Sequence, residues 1–279
     1  MIRRPPRSTL DRSSAASDVY KRQVLEPLFY VVALLSVFVH GMGKAGFGMG
    51  LPILAIPMMS LFISPIQALS ILVIPLIFMD LITIHRFKGL WNKEILKFII
   101  PFSLLGIVIG TITFQYLSEN SLRIILGLIA LGFGLNYFLT SIKEVAFNSS
   151  KKIGSFWSIL SGFTSFSIHA GGLPISFYLL PMRLDRRIYV ATTAVFFLSL
   201  NLIKLIPYAY FGQINLQNFY ISAVLLPLAP LGVYFGAYLT NKVSQDFFYN
   251  LSYFCLILAG LKLVYDLSLI HISEPTRPY

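Results

Sequence analysis

The sequence predicts an all-α polytopic membrane protein of two inverted-topology repeats, each a broken-helix or re-entrant pair plus three transmembrane helices. Three observations predict it. The chain is 56% hydrophobic and only 12% charged, whereas an ordinary soluble domain carries roughly 25% charged residues. Its apolar residues come in runs of bilayer-spanning length, such as Gln67 to Ile84 and Leu122 to Thr140. Short Gly/Pro signatures of the first half also recur in the second.

Composition excludes several function classes. The formal charge of +11 is not a nucleic-acid footprint, because the basic residues fall between apolar segments, where they suit loops at a negatively charged cytoplasmic leaflet. The lone Cys255 rules out an intrachain disulfide. No metal-ligand spacing, catalytic triad or phosphate loop occurs, so neither an enzyme nor a cofactor is expected. An intramembrane enzyme would need clustered polar catalytic residues at one depth. The sequon Asn148-Ser149-Ser150 falls in an expected cytoplasmic loop and is discounted.

The two ends differ from the rest. Residues 1–23 are polar and Arg-rich, without the apolar stretch of a signal peptide. The DNA that encodes Asp18 to Gln23 (DVYKRQ) has a reverse complement encoding Leu267 to Ile272 (LSLIHI). That string resembles the transposase end used in sequencing-library adapters. Segments 1–23 and 267–279 are therefore expected to be adapter-derived. The remainder divides into a first membrane repeat at 24–141, a cytoplasmic linker at 142–153 and a second membrane repeat at 154–266.

Apolar segments are expected at 26–43, 49–63, 67–85, 95–115, 122–141, 155–169, 173–181, 187–206, 216–239 and 246–264. Segment 173–181 is too short to cross alone, at a helical rise of about 1.5 Å per residue. Glycine-rich breaks at Gly41 to Gly50 and at Ala170-Gly171-Gly172 interrupt helix continuity. Each pair around a break is expected to consist of shorter segments, either a re-entrant hairpin or two tilted crossings.

The repeat is visible in short echoes. Gly50-Leu51-Pro52-Ile53 recurs as Gly172-Leu173-Pro174-Ile175, and Pro101, Gly106 and Gly110 share the spacing of Pro227, Gly232 and Gly236. Gly134-Leu135 matches Gly260-Leu261, and the offset drifts only from 122 to 126. Loop charges supply orientation. Arg86, Lys88, Lys93 and Lys97 crowd the loop at 86–97, whereas its counterpart at 207–215 is uncharged. The linker holds Lys143, Lys151 and Lys152, and the turn at 182–187 holds Arg183, Arg186 and Arg187. With basic loops in the cytoplasm, equivalent helices run in opposite directions, the architecture of many secondary transporters.

The breaks are the candidate binding site. Unwound backbone at membrane depth is tolerated where it is buried in protein or lines a wet cavity. A half-helix that starts after a break aims free N–H groups at an anion. Gly43, Gly46, Gly48, Gly50 and Pro52 line the first break, and His169, Gly171, Gly172 and Pro174 the second. Gly41 to Gly46 also fits G-x-G-x-x-G, but no strand precedes it and the nucleotide reading fails. Close helix packing through small residues is the plainer reading of Gly106/Gly110 and Gly232/Gly236.

Three charged or titratable residues carry open alternatives. Lys44, inside the first break, either supplies charge to a substrate or snorkels to the outer surface. His169 is a substrate contact, a coupling residue or a packed histidine. Asp80, the one acid well within a spanning segment, is a proton-coupling carboxylate or a helix–helix hydrogen-bond partner. Its repeat equivalent is roughly Asn201, so the two halves differ there. His40 and His85 read as interfacial or packing residues, and Lys204 as an outer-end snorkeller.

At these residues the chain resembles the sulfite exporter TauE/SafE family of membrane permeases. The likeness lies in HGMGKAGFGMGLPILAIP (His40 to Pro57), in the GGLPI echo (Gly171 to Ile175) and in the two-repeat layout. The resemblance implies a permease for sulfur-containing anions such as sulfite or organosulfonates, in the bacterial inner membrane. Ser167-Ile168-His169-Ala170 replaces glycines at the second break, so the two halves need not bind equivalently. The expected function is a secondary transporter that exports a small anion by alternating access, with proton coupling through Asp80. An anion channel or passive pore is the alternative. The expected partners are a small anionic substrate and the lipid bilayer, and a homo-oligomer is compatible with the sequence.

Overall fold

The computed structural model describes residues 27–47, 52, 55–59, 62–113 and 151–254, with single positions or pairs at 128–139 and 257–261. Every regular element among the described residues is helical. Helix α1 (Pro27–Met42) continues through a π turn (Gly43–Phe47), and α2 (Ala55–Met59) follows. Helices α3 (Pro65–Arg86) and α4 (Lys93–Thr113) complete what is described in full of the first half. The second half has α5 (Lys151–Ile168), α6 (Gly172–Leu179) with a 3-10 turn (Leu180–Met182), α7 (Arg186–Tyr210), α8 (Leu216–Leu225) and α9 (Leu228–Lys242). Residues 245–254 form a further helix, α10. The expected segment at 122–141 and the linker at 142–153 lie largely outside the described residues.

Among the described residues, four helices are long and apolar enough to cross a bilayer: Pro27–Ala45, Ile66–Arg86, Lys93–Thr113 and Arg186–Tyr210. Helices α8 and α9 make a fifth crossing when taken together, bent by 44° between them. Side chains at the outer faces, such as Leu35, Ile112, Ile206 and Tyr238, are exposed and apolar, as a lipid-facing surface requires. The chain is a multi-pass α-helical membrane protein.

Three boundaries differ from expectation. The opening helix of each half is long rather than short: Pro27–Ala45 is 19 residues and α5 is 18. The first break also begins later than Gly41, because the π turn carries the helix past Lys44. A π turn adds a residue without unwinding the backbone, which glycines at positions 41, 43 and 46 permit. Finally, the segment 216–239 is two helices. Pro227 and Pro230 remove two backbone donors within four residues, whereas α4 contains Pro101 alone and stays continuous.

Helix starts are set by side-chain caps in both halves. Ser64 accepts from Gln67 N at 3.3 Å before α3, and Asp185 accepts from Arg187 N at 2.8 Å before α7. Asn92 and Asn215 cap α4 and α8 in the same way, at 3.0 and 2.9 Å.

Packing between the halves is reciprocal. Helix α4 lies against α5, the opening helix of the other half, and α9 lies against α1. A Cβ at Gly106 would strike Ile159 O and lie 2.8 Å from Phe163 N, and one at Gly232 would lie 2.5 Å from Phe38 O and 3.2 Å from Met42 N. Conversely, a Cβ at Gly162 would strike Ser103 O, and one at Gly41 would lie 3.2 Å from Ala229 O. Positions 38, 41 and 42 correspond to 159, 162 and 163, and 103 and 106 correspond to 229 and 232. The same close backbone approach is therefore made twice with the halves exchanged, which is consistent with the inverted repeat. Small residues let the backbones meet where lipid offers no hydrophobic drive.

Candidate functional site

The centre of the molecule is polar, and four elements build it. Lys44 projects from the π turn after α1, Asp80 from α3, Ser165 and His169 from the end of α5, and Asn201 and Lys204 from α7. Lys44, Asp80, Ser165, Asn201 and Lys204 are all buried. Helical spacing aims them inward together. Phe197, Asn201 and Lys204 share one face of α7, and His40 lies one turn before Lys44 on α1.

A charged pair lies at the heart of the site. Lys44 Nζ is ion-paired with Asp80 Oδ1, and Asp80 Oδ2 accepts from Asn201 Nδ2 at 2.9 Å. Lys44 Nζ also reaches Leu76 O at 3.4 Å and sits 5.6 Å from the centre of the Phe197 ring. Both carboxylate oxygens thus have donors, the condition under which a buried acid is tolerable.

The second cluster has different chemistry. Lys204 Nζ donates to Ser165 O at 3.0 Å, to Ser165 Oγ at 3.1 Å and to His169 Nδ1 at 3.0 Å. An ammonium has donors only, so His169 Nδ1 accepts and its Nε2–H donates to Leu69 O at 3.1 Å. That network fixes the tautomer of His169 and ties the second break to α3. No carboxylate among the described residues lies within 4.0 Å of Lys204.

Between the clusters lies a cavity of about 30 Å³, more than the roughly 10–15 Å³ that one water needs. His40, Lys44 and Pro52 line it from the first half together with Leu76. Ser165, His169, Gly172, Phe197, Asn201 and Lys204 line it from the second. His40 Nδ1 is buried there with no hydrogen-bond partner among the described residues.

The structure sorts the residues singled out from the sequence. It brings together Lys44, Pro52, His169, Gly172 and Asn201 at the cavity, with Asp80 immediately behind Lys44 and Asn201. Gly171 fits the break against α5: a Cβ there would lie 2.6 Å from Ser161 O, and Ser161 Oγ donates to Gly171 O at 2.7 Å. Gly43 and Pro174 are buried but do not line the cavity. Gly46 belongs to the π turn, while Gly48 and Gly50 lie outside the described residues.

Two expectations need correction. Lys204 does not snorkel, since it is 0% exposed and bonded to the second break. Of the two readings of His40, interfacial and packing, burial removes the first: it is 4% exposed and lines the cavity. The half-helix α6 also offers fewer amides than its position suggests. The N–H groups of Leu173 and Ile175 donate to Ala170 O and Gly171 O at 3.2 and 3.4 Å, and Pro174 has none. Side chains supply more of the site's polarity than the helix end does. His169 takes a left-handed backbone, φ 50°, which is uncommon outside glycine and marks the break as a held conformation.

A multi-pass helical protein whose halves meet around a buried, ionised centre has the layout of a membrane transporter. The sulfite exporter TauE/SafE family model matches residues 32–263, most of the chain. The protein belongs to that family, whose members are transporters rather than enzymes. Neither curated proteins nor solved structures gave a match to the chain.

Proposed function

We propose that the chain is a secondary transporter that exports a small sulfur-containing anion, sulfite or an organosulfonate, across the bacterial inner membrane by alternating access. One observation carries this reading. The cavity between the Lys44 and Lys204 clusters holds two buried ammonium groups, with the one carboxylate, Asp80, behind Lys44. Such a centre costs free energy when empty and gains it when an anion arrives.

The remaining steps follow from position. Asp80–Asn201 and His169–Leu69 bridge the two halves, so rocking one half against the other would break and remake these bonds. Asp80 is the proposed proton site, because protonation would release Lys44 toward the cavity. The basic residues Arg86, Lys88, Lys93 and Lys97 are exposed at one end of α3 and α4, and we place that end in the cytoplasm.

The test is counterflow in proteoliposomes with a panel of sulfur oxyanions and carboxylates. Saturable flux stimulated from the opposite side supports the transporter. Flux that rises without saturation favours a channel or pore instead.

A further inference from the structure

The two cations of the cavity are not equivalent. Lys44 is neutralised in advance by Asp80, whose second oxygen is held by Asn201. Lys204 has only neutral partners: two oxygens of Ser165 and the accepting nitrogen of His169. Groups from every element around the cavity enter the charge count. Helix α1 with its π turn contributes His40 and Lys44, α3 contributes Asp80, the second break His169, and α7 Lys204; the lining residues Gly172 and Leu173 of α6 are uncharged. Counting both lysines as ammonium, Asp80 as carboxylate and both imidazoles as neutral, the centre carries one uncompensated positive charge.

From this count we propose that, while Asp80 is ionised, the site selects anions by charge state, taking a singly charged oxyanion and rejecting a doubly charged one, with Lys204 as the counter-charge and Lys44–Asp80 as a neutral spacer. The inference rests on the anion-transport reading above. A monoanion beside Lys204 leaves the buried centre neutral, whereas a dianion leaves one net negative charge out of water. A second observation points to a ligand at the same place: His40 lines the cavity from the first half, and its buried Nδ1 has no hydrogen-bond partner among the described residues. In the tautomer with its proton on Nδ1, His40 would donate to an oxyanion oxygen. The substrate class is therefore a sulfonate or a hydrogen-bearing oxyanion such as hydrogensulfite, not the fully ionised dianion.

The experiment measures equilibrium binding to the purified full chain of methanesulfonate, a fixed monoanion, and sulfate, a fixed dianion. In the wild type, methanesulfonate should bind at least about tenfold tighter, because an unpaired buried charge is expensive. Asp80→Asn leaves Lys44 unneutralised and raises the count by one, so the ratio should shift toward sulfate by about tenfold or more. The double variant Lys44→Gln/Asp80→Asn removes the pair while keeping Lys204, and should return the preference to methanesulfonate. Lys204→Gln should lose methanesulfonate binding. Equal affinities in the wild type, or a ratio unmoved by Asp80→Asn in a folded protein, overturn the charge rule while leaving anion transport standing. If no anion of the wider panel binds or exchanges, the transport reading fails and the charge rule fails with it.

Discussion

Asp80 Oδ2 accepts a hydrogen bond from Asn201 Nδ2 at 2.9 Å, joining a residue of the first half to one of the second. One half offers a carboxylate and the other an amide, so the pair is held at a single charge. Two carboxylates there would repel, and two amides would leave Lys44 without a counter-ion. The asymmetry is what lets a repeat-built interface close around one ammonium.

Removing that carboxylate should therefore cost stability. Asp80→Asn strands a buried Lys44, a loss of about 3–5 kcal/mol for broken buried pairs. Thermal unfolding in detergent should show a clearly lower midpoint. Lys44→Gln/Asp80→Asn should recover a large part of it, because neither charge is then stranded. Added sulfate should raise the midpoint of the single variant more than that of the wild type.

Lys44→Ala should depress anion flux at least about tenfold at matched expression, since it leaves Asp80 unpaired against the cavity. Initial rates in proteoliposomes measure this. Unchanged flux would remove Lys44 from the site.

The reciprocal glycine contacts make a packing prediction. Gly162→Ala and Gly106→Ala drive a Cβ into facing backbone and should each destabilise by about 1–3 kcal/mol. Gly132 has nothing within 4 Å of a built Cβ, so Gly132→Ala should be neutral or should stabilise by roughly 0.5–1 kcal/mol as helix entropy falls. Comparative unfolding midpoints decide, and equal losses at all three positions would contradict the close approach.

Proton coupling makes a separate prediction. An imposed pH gradient should drive anion movement in the wild type and leave Asp80→Asn unaffected. Equal, pH-independent rates in both would detach Asp80 from coupling.

Much of this was legible in the sequence, and the reasons for the rest are physical. The spans at 67–85 and 187–206 follow from apolar run length, and the structure places them at Pro65–Arg86 and Arg186–Tyr210. The second break was readable because Ala170-Gly171-Gly172 interrupts an otherwise helical run. The π turn was not, since glycines at 41, 43 and 46 permit either a break or a bulge. Lys204 misled because it lies six residues before the end of α7, where a lysine stem can usually reach the surface. Only packing against Ser165 and His169 turns it inward. A signal did exist: Lys204 is one turn from Asn201, and His40 one turn from Lys44, so helical spacing alone tied both to residues already singled out.

The most direct test of the central claim is trans-stimulated exchange of radiolabelled sulfite in proteoliposomes bearing the wild type, Lys44→Ala or Lys204→Gln. The account predicts saturable exchange in the wild type, accelerated by unlabelled anion on the far side and lost in both variants. Exchange that fails to saturate, or that survives in both folded variants, would contradict it.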